Sequence, residues 1–343
     1  MIAHQPFPQP LSKLVSAWMT VSLLFVSGQA VFTYGALAGF MIVGAFLMAF
    51  LLIIPFLWLH RSKGREQSPF LTILEYVIFF ESFTLHFVIL LLIASSALAF
   101  TSPLRLMGLA IPFITAILFF LGRKGAIKLA VLLGLSIFLP NYFFLQKGLE
   151  TVYHNLLHYH PRFLHLQQEG AWVLFGLLVA VFFAKLYAQI PFLYGYVENR
   201  FWKGIQKLFF GYLIWATVIL AFSSMSLVSF NYQMPAGQGN QRFFLMLEEL
   251  MDQVFIAIIL LGLAACSTLE LSAAARKIGN NISKRLLMAG MAVILGIFFY
   301  IREVAIIKLF VLFGAGSAVI CLLHLVYTAI HHKYIKTRKI NIN

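Results

Sequence analysis

The stretch AWVLFGLLVAVFFAKLYAQIPFLYGY, from Ala171 to Tyr196, decides the class of this chain. A bilayer crossing takes about 20 mostly apolar residues, and this run supplies them. Yet it carries Lys185 and then Tyr187-Ala188-Gln189-Ile190-Pro191. A lysine in hydrocarbon costs about 2.5–3.5 kcal/mol on insertion scales, so it needs a partner or a task. Proline removes a backbone N–H and interrupts the helix. The run reads as a membrane span with a charge beside a break.

The rest of the chain agrees. Of 343 residues, 62% are hydrophobic and 10% charged, where a soluble domain has about half and a quarter. That excludes a soluble enzyme, a nucleic-acid-binding domain and a disordered chain. Cys266 and Cys321 lie in apolar runs and imply no disulfide framework. Met1 to Lys13 lacks the charged-then-apolar order of a cleaved signal. Apolar runs bounded by charge, Gly or Pro predict ten transmembrane helices, at 14–34, 36–59, 69–100, 103–121, 126–146, 171–196, 204–230, 243–275, 285–301 and 304–330. The expectation is an all-α polytopic membrane protein with a single domain over 1–343, in the cell membrane.

Basic residues orient it. The segment before the first run, those after the even-numbered runs and the C-terminal tail hold 18 of the 25 Lys and Arg, from Lys13 through Arg61, Arg123 and Lys128 to Lys339. Six lie on the other side, including Arg105, Lys147 and Arg242, and Lys185 lies within a run. The positive-inside rule then predicts both termini in the cytoplasm.

Ten spans divide into two five-helix units of opposite orientation, about 12–146 and 171–330, a 5+5 inverted repeat. In transporters built this way the first and sixth helices break near the midplane and bind solutes there. Ser27-Gly28-Gln29 and Lys185–Pro191 are the expected breaks, at matching depth from opposite faces. Gly and Pro are also ordinary in membrane helices. The expected substrate-binding residues are Ser27, Gly28, Gln29, Lys185, Tyr187 and Gln189. In the eighth run, Ala264, Ser267 and Thr268 put a carbonyl and two hydroxyls on one helix face. Hard cations take oxygen ligands, so Na⁺ is a candidate; back-bonding of the hydroxyls to the helix is the plainer alternative.

Phe25-Val26-Ser27-Gly28-Gln29 with Tyr34-Gly35-Ala36-Leu37-Ala38-Gly39 resembles the opening of the YkvI-type membrane permeases, distant relatives of sodium:solute symporters with the LeuT fold. Gly122-Arg123-Lys124-Gly125, Glu248-Glu249-Leu250 and Ser267-Thr268 are similar to the same group, in the same order, from about Ser12 to Tyr327. The resemblance implies a LeuT-like fold and a sodium site formed by Ala264, Ser267 and Thr268 with the backbone from Ser27 to Ala30. Two stretches depart from it: Leu129–Leu133 is apolar where symporters carry a Thr-Asp pair and Gln, and Thr20–Leu24 replaces a glycine-rich run. Thinned polar machinery implies a small, rather apolar substrate, or loss of transport.

Glu81 lies near the middle of the third run, and Lys185 is its natural partner, as a proton relay, a gate or a structural bridge. Glu75 reads as interfacial, Glu270 as lining an inner exit or balancing Arg276, and Glu248 with Asp252 as one outer stripe. The segment 147–169 reads as an outer amphipathic helix, with Glu150, His154 and His158 on one stripe and Leu149, Val152, Leu156 and Phe163 toward lipid. The functional expectation is a permease moving a small organic solute, amino-acid-like or a carboxylate, coupled to Na⁺ or H⁺. The alternative is a permease-like receptor or accessory subunit. Neither an enzyme, a resident metal, a cofactor beyond Na⁺, nor a nucleic-acid partner is expected.

Overall fold

The computed structural model describes residues 10–63, 69–99, 125–159, 170–198, 200–228, 241–277 and 282–340. They form thirteen helices. These are α1 (Leu11–Trp18), α2 (Val21–Tyr34), α3 (Ala38–Lys63), α4 (Pro69–Ala99), α5 (Gly125–Lys147), α6 (Leu149–Tyr159) and α7 (Ala171–Ala188). Then come α8 (Ile190–Val197), α9 (Phe201–Val228), α10 (Arg242–Leu250), α11 (Gln253–Lys277), α12 (Ile282–Ile301) and α13 (Ile306–Ile340).

Seven of these helices are long and apolar enough to cross a membrane: α3, α4, α5, α7, α9, α11 and α13. Counted as one span, α1 and α2 make an eighth, bent by 52° at the break between them. A shorter apolar stretch, Leu287–Ile301, lies in α12. The expected run at 103–121 lies outside the described residues. The expected eighth span, 243–275, is two helices: Met251 is extended (φ −129°, ψ 149°) and separates α10 from α11. Glu248 and Asp252 therefore share no helical stripe.

The outer surface fits a bilayer. Ile137, Trp172, Val254 and Ile294 are each about two-thirds exposed, and large apolar side chains face outward on helix after helix, a cost in water that lipid removes. The interior holds Glu81, His86, Lys128, Glu270, Ser267 and Thr268, all buried. Polar inside and apolar outside is the arrangement of a polytopic membrane protein.

Two packing groups emerge. In one, α9 lies against α2, α3 and α8, and α3 against α7. In the other, α4 lies against α11, α12 and α13. Between them, α5 packs on α1, α9 and α11, while α13 packs on α7, α4 and α2. Close approach in the first group rests on small residues, as expected where helices associate in lipid by packing. A Cβ on Gly204 would lie 2.4 Å from the Tyr196 carbonyl oxygen, and one on Gly28 would lie 2.9 Å from Ser226 Oγ.

α6 forms within the expected outer amphipathic segment, but Val152 and Leu156 are buried against the helical body rather than turned to lipid. Leu149 is exposed, and His154 Nε2 lies 3.7 Å from Glu150 Oε1. Phe163 lies outside the described residues.

Candidate functional site

The interruption of the first span lies at Met19–Thr20, not at Ser27-Gly28-Gln29. Both residues are extended, with Met19 at φ −80°, ψ 112° and Thr20 at φ −124°, ψ 150°. Thr20 caps α2: its Oγ1 accepts from the Leu23 N–H at 3.4 Å, the usual work of a threonine ahead of an apolar helix. Ser27, Gly28, Gln29 and Ala30 are continuous helix within α2. Gly28 is there for the approach of α9, not for unwinding. The signal that locates the break was the N-cap threonine.

The second interruption falls inside the expected Lys185–Pro191. Gln189 (φ −90°, ψ 2°) separates α7 from α8, and its N–H reaches the carbonyls of Lys185 and Leu186 at 3.3 and 3.0 Å. Pro191 opens α8, where a missing N–H costs nothing. The two interruptions meet: Trp18 Nε1 donates to Gln189 Oε1 at 3.2 Å.

Four residues before Gln189, Lys185 Nζ donates to Glu81 Oε1 at 2.5 Å, joining α7 to α4. The ammonium also lies 3.8 Å from the Phe310 ring centroid of α13, a desolvated cation–π contact worth about 2 kcal/mol. Glu81 Oε2 is buried with no hydrogen-bond partner among the described residues. Tyr187 packs among Phe56, Phe183 and His324.

A second buried pair escaped the sequence reading. Lys128, counted above among the inner loop cations, lies one turn into α5 and is buried. Its Nζ donates to both the Ser16 carbonyl and Glu270 Oε1. Ser16 is in the last turn of α1, whose carbonyls have no onward helix to bond, so a cation there is doubly favoured. Lys128 thus ties α1 to α5 and α11, with Glu270 as its ion-pair partner; the side chain of Arg276 lies outside the described residues. Cys266 Sγ lies 3.9 Å from the Lys128 carbonyl oxygen.

His86, also on α4, is buried and feels the charges of Glu270, Lys128 and Lys185. Its Nδ1 lies 2.6 Å from the Ser82 carbonyl oxygen. A carbonyl only accepts, so in the neutral ring Nδ1 carries the hydrogen and Nε2 presents a lone pair. That Nε2 is buried with no hydrogen-bond partner among the described residues.

The oxygens expected for Na⁺ are mostly engaged. Thr268 Oγ1 donates to the Ala264 carbonyl at 2.8 Å, and Ser27 Oγ donates to the Leu24 carbonyl at 2.8 Å. Ser267 Oγ is buried without a hydrogen-bond partner among the described residues.

Gly28 and Gln29 do face a small cavity, of about 30 Å³, between α2, α9, α10 and α11. Ser226 of α9, Arg242 of α10 and Leu263 of α11 complete its contour, with Phe25, Phe32, Phe222 and Phe243 among its aromatic walls. Gln29 Oε1 accepts from the Ile307 N–H at 2.9 Å, which ties this wall to α13. Ser27, Lys185, Tyr187 and Gln189 are not among the lining residues. Arg242, an outer cation by its position in the sequence, is the residue that sequence reading missed. Comparison with known proteins finds no family model that matches the chain and no curated protein with significant similarity to it.

Proposed function

We propose that this chain is a secondary-active permease of LeuT-like architecture that moves a small organic solute on the energy of a proton gradient, by alternating access. The observation that carries the reading is the meeting of two interrupted spans, Trp18 against Gln189, with a buried ion pair close to each interruption. Interrupted helices place backbone dipole ends at membrane depth only where a site needs them.

The packing supports a 5+5 repeat. Let α1–α2, α3, α4 and α5 stand for spans of one unit, and α7–α8, α9, α11, α12 and α13 for spans of the other. Exchanging the units turns α2 on α9 into α7 on α3, α4 on α13 into α11 on α5, and α1 on α5 into α7 on α13. It returns α4 on α11 to itself. All of these contacts occur. The basic-residue bias favours cytoplasmic termini and the cell membrane.

Protons are favoured over Na⁺ because the backbone from Ser27 to Ala30, expected to open toward the ion, is continuous helix, and Thr268 bonds back to the Ala264 carbonyl. Buried titratable groups are plentiful instead: Glu81 with Lys185, Glu270 with Lys128, and His86 within the field of Glu270 and both lysines. The receptor alternative drew on the apolar stretch Leu129–Leu133; Lys128, one residue earlier, supplies that helix with a polar contact to two others.

Reconstitution into proteoliposomes tests this. Labelled organic acids and amino acids are offered under an imposed pH gradient without Na⁺, and then under a Na⁺ gradient at equal pH. Uptake driven by pH and lost in Glu81→Gln supports the reading. Uptake that follows Na⁺ alone overturns proton coupling, and stabilising binding without uptake of any solute returns the receptor.

A further inference from the structure

We propose that His86 carries the proton of this permease: its Nε2 takes up the proton, and the imidazolium then competes with Lys128 for Glu270 and loosens the grip of Lys128 on the end of α1. This deepens the permease reading and rests on it for its role in transport, while the titration and its effect on α1 do not. His86 stands between the two ion pairs. Glu81 and His86 are both on α4, five residues apart, so they point about 140° apart around the helix. Glu81 reaches α7 at Lys185, and the ring of His86 feels Glu270 of α11, Lys128 of α5 and Lys185. Nδ1 is engaged with the Ser82 carbonyl. Nε2, buried and without a hydrogen-bond partner among the described residues, is the atom left to take a proton.

The charges around the ring tie its protonation to the second pair. The helices packed on α4 bring titratable groups to the interior: Glu270 and Cys266 from α11, Lys185 and Tyr187 from α7, Cys321 and His324 from α13, and, among the described residues, no buried one from α2 or α12. Of these, Glu270 and Lys185 act on the ring, together with Lys128 from α5. The two lysines oppose a positive charge there and Glu270 favours it, so the arrangement of Lys128 and Glu270 governs whether His86 holds a proton. Linkage makes the effect reciprocal: a proton on His86 changes how firmly Glu270 holds Lys128. Lys128 also donates to the Ser16 carbonyl in the last turn of α1, so the proton acts on the interrupted first span through one side chain. The carboxylates are poorer carriers. Protonating Glu81 or Glu270 strips a lysine in the interior of its counter-charge. A neutral imidazole instead gains its charge near a carboxylate, and imidazole ordinarily titrates between about pH 5 and 8. The proton entering from one side of the membrane forms the Nε2–H bond, with Nδ1–H left in place, and the same bond breaks as it leaves toward the other side.

The test is hydrogen–deuterium exchange of the purified full chain in nanodiscs, read by mass spectrometry at about pH 5.5 and about pH 8, near the two ends of the imidazole range. Rates are corrected for the intrinsic pH dependence of amide exchange. The expected result is that the amides of Leu11–Trp18 exchange about tenfold faster at the lower pH, as the weakening of one charge-assisted contact requires. In His86→Gln, whose side chain takes no proton, the corrected rates should be equal at both, and His86→Asn should behave alike. Equal protection of α1 at both pH values in the wild-type chain overturns the proposal, whatever the variants do. So does a pH response that survives in His86→Gln. In the proteoliposome assay, His86→Gln should abolish pH-driven uptake of the labelled acids and amino acids. The two readings fail separately. A His86-dependent response of α1 without uptake of any solute fails the permease and keeps this switch. Uptake driven by pH that persists in His86→Gln does the reverse.

Discussion

Trp18 and Gln189 are 171 residues apart, yet one hydrogen bond of 3.2 Å joins them at the two places where spanning helices give way. Each lies within two residues of extended or turned backbone, so the bond pins one interruption to the other. A part-buried neutral hydrogen bond contributes about 1 kcal/mol net. Gln189→Leu and Trp18→Phe should therefore cost about that much in thermal unfolding, with transport lost to a greater degree than stability. A variant that transports normally would reduce this contact to packing.

The Glu81–Lys185 pair separates structure from function by a double substitution. Removing one partner leaves the other charge buried and should cost about 3–5 kcal/mol. Glu81→Leu with Lys185→Met should regain most of that in unfolding assays while uptake stays absent. Recovery of uptake in the double variant would show the pair to be a bridge and nothing more. For Lys185 alone, arginine should weaken transport and alanine abolish it.

Lys128 holds the end of α1 against α5 and α11, and the chain carries its own reporter. Cys266 is buried beside the Lys128 carbonyl. In a Cys321→Ser background, maleimide labelling followed by mass spectrometry should find Cys266 protected. Lys128→Met leaves the Ser16 carbonyl and Glu270 without their cation, so α1 should swing free and Cys266 should label faster by about an order of magnitude. Unchanged labelling would mean that α1 is held by packing alone.

Gly204→Ala should be among the most damaging small substitutions, because its Cβ would meet backbone, the Tyr196 carbonyl oxygen at 2.4 Å and Val197 Cα at 2.6 Å. Neither can move without displacing α8. Gly290→Ala meets nothing within 4 Å and should be neutral or slightly stabilising, since alanine favours the helix by about 1 kcal/mol. Thermal unfolding of the two variants side by side checks the contrast.

What could be read before the fold was seen follows from how local each signal is. Hydropathy marks spans because a bilayer acts on every residue of a run, and a mid-span glutamate and lysine seek each other for want of water. Pro191 marks its break because the lost N–H is in the sequence itself. Ser27-Gly28-Gln29 misled because glycine serves two purposes, unwinding and close approach, and only the position of Ser226 distinguishes them. Lys128 looked like a loop cation because α5 begins at Gly125, and nothing local says that α1 ends opposite it. Arg242 lay beyond reach for the same reason: a cavity wall is assembled from four separate helices.

One wall of that cavity has a different mechanical status from the others. α10 is nine residues long, is too short to cross a bilayer, and joins α11 through the extended Met251 and Asp252. Arg242, Phe243 and Met246 therefore ride on a short helix docked on the core through Phe244, Met246, Leu247 and Leu250, while Gly28, Ser226 and Leu263 belong to longer helices. Met246 is itself buried in the main core, with Phe243 packed against it, so a substitution on this wall acts on the cavity and on the packing together. The shape of the cavity is thereby coupled to how one short helix docks on the core, and not only to the long helices around it.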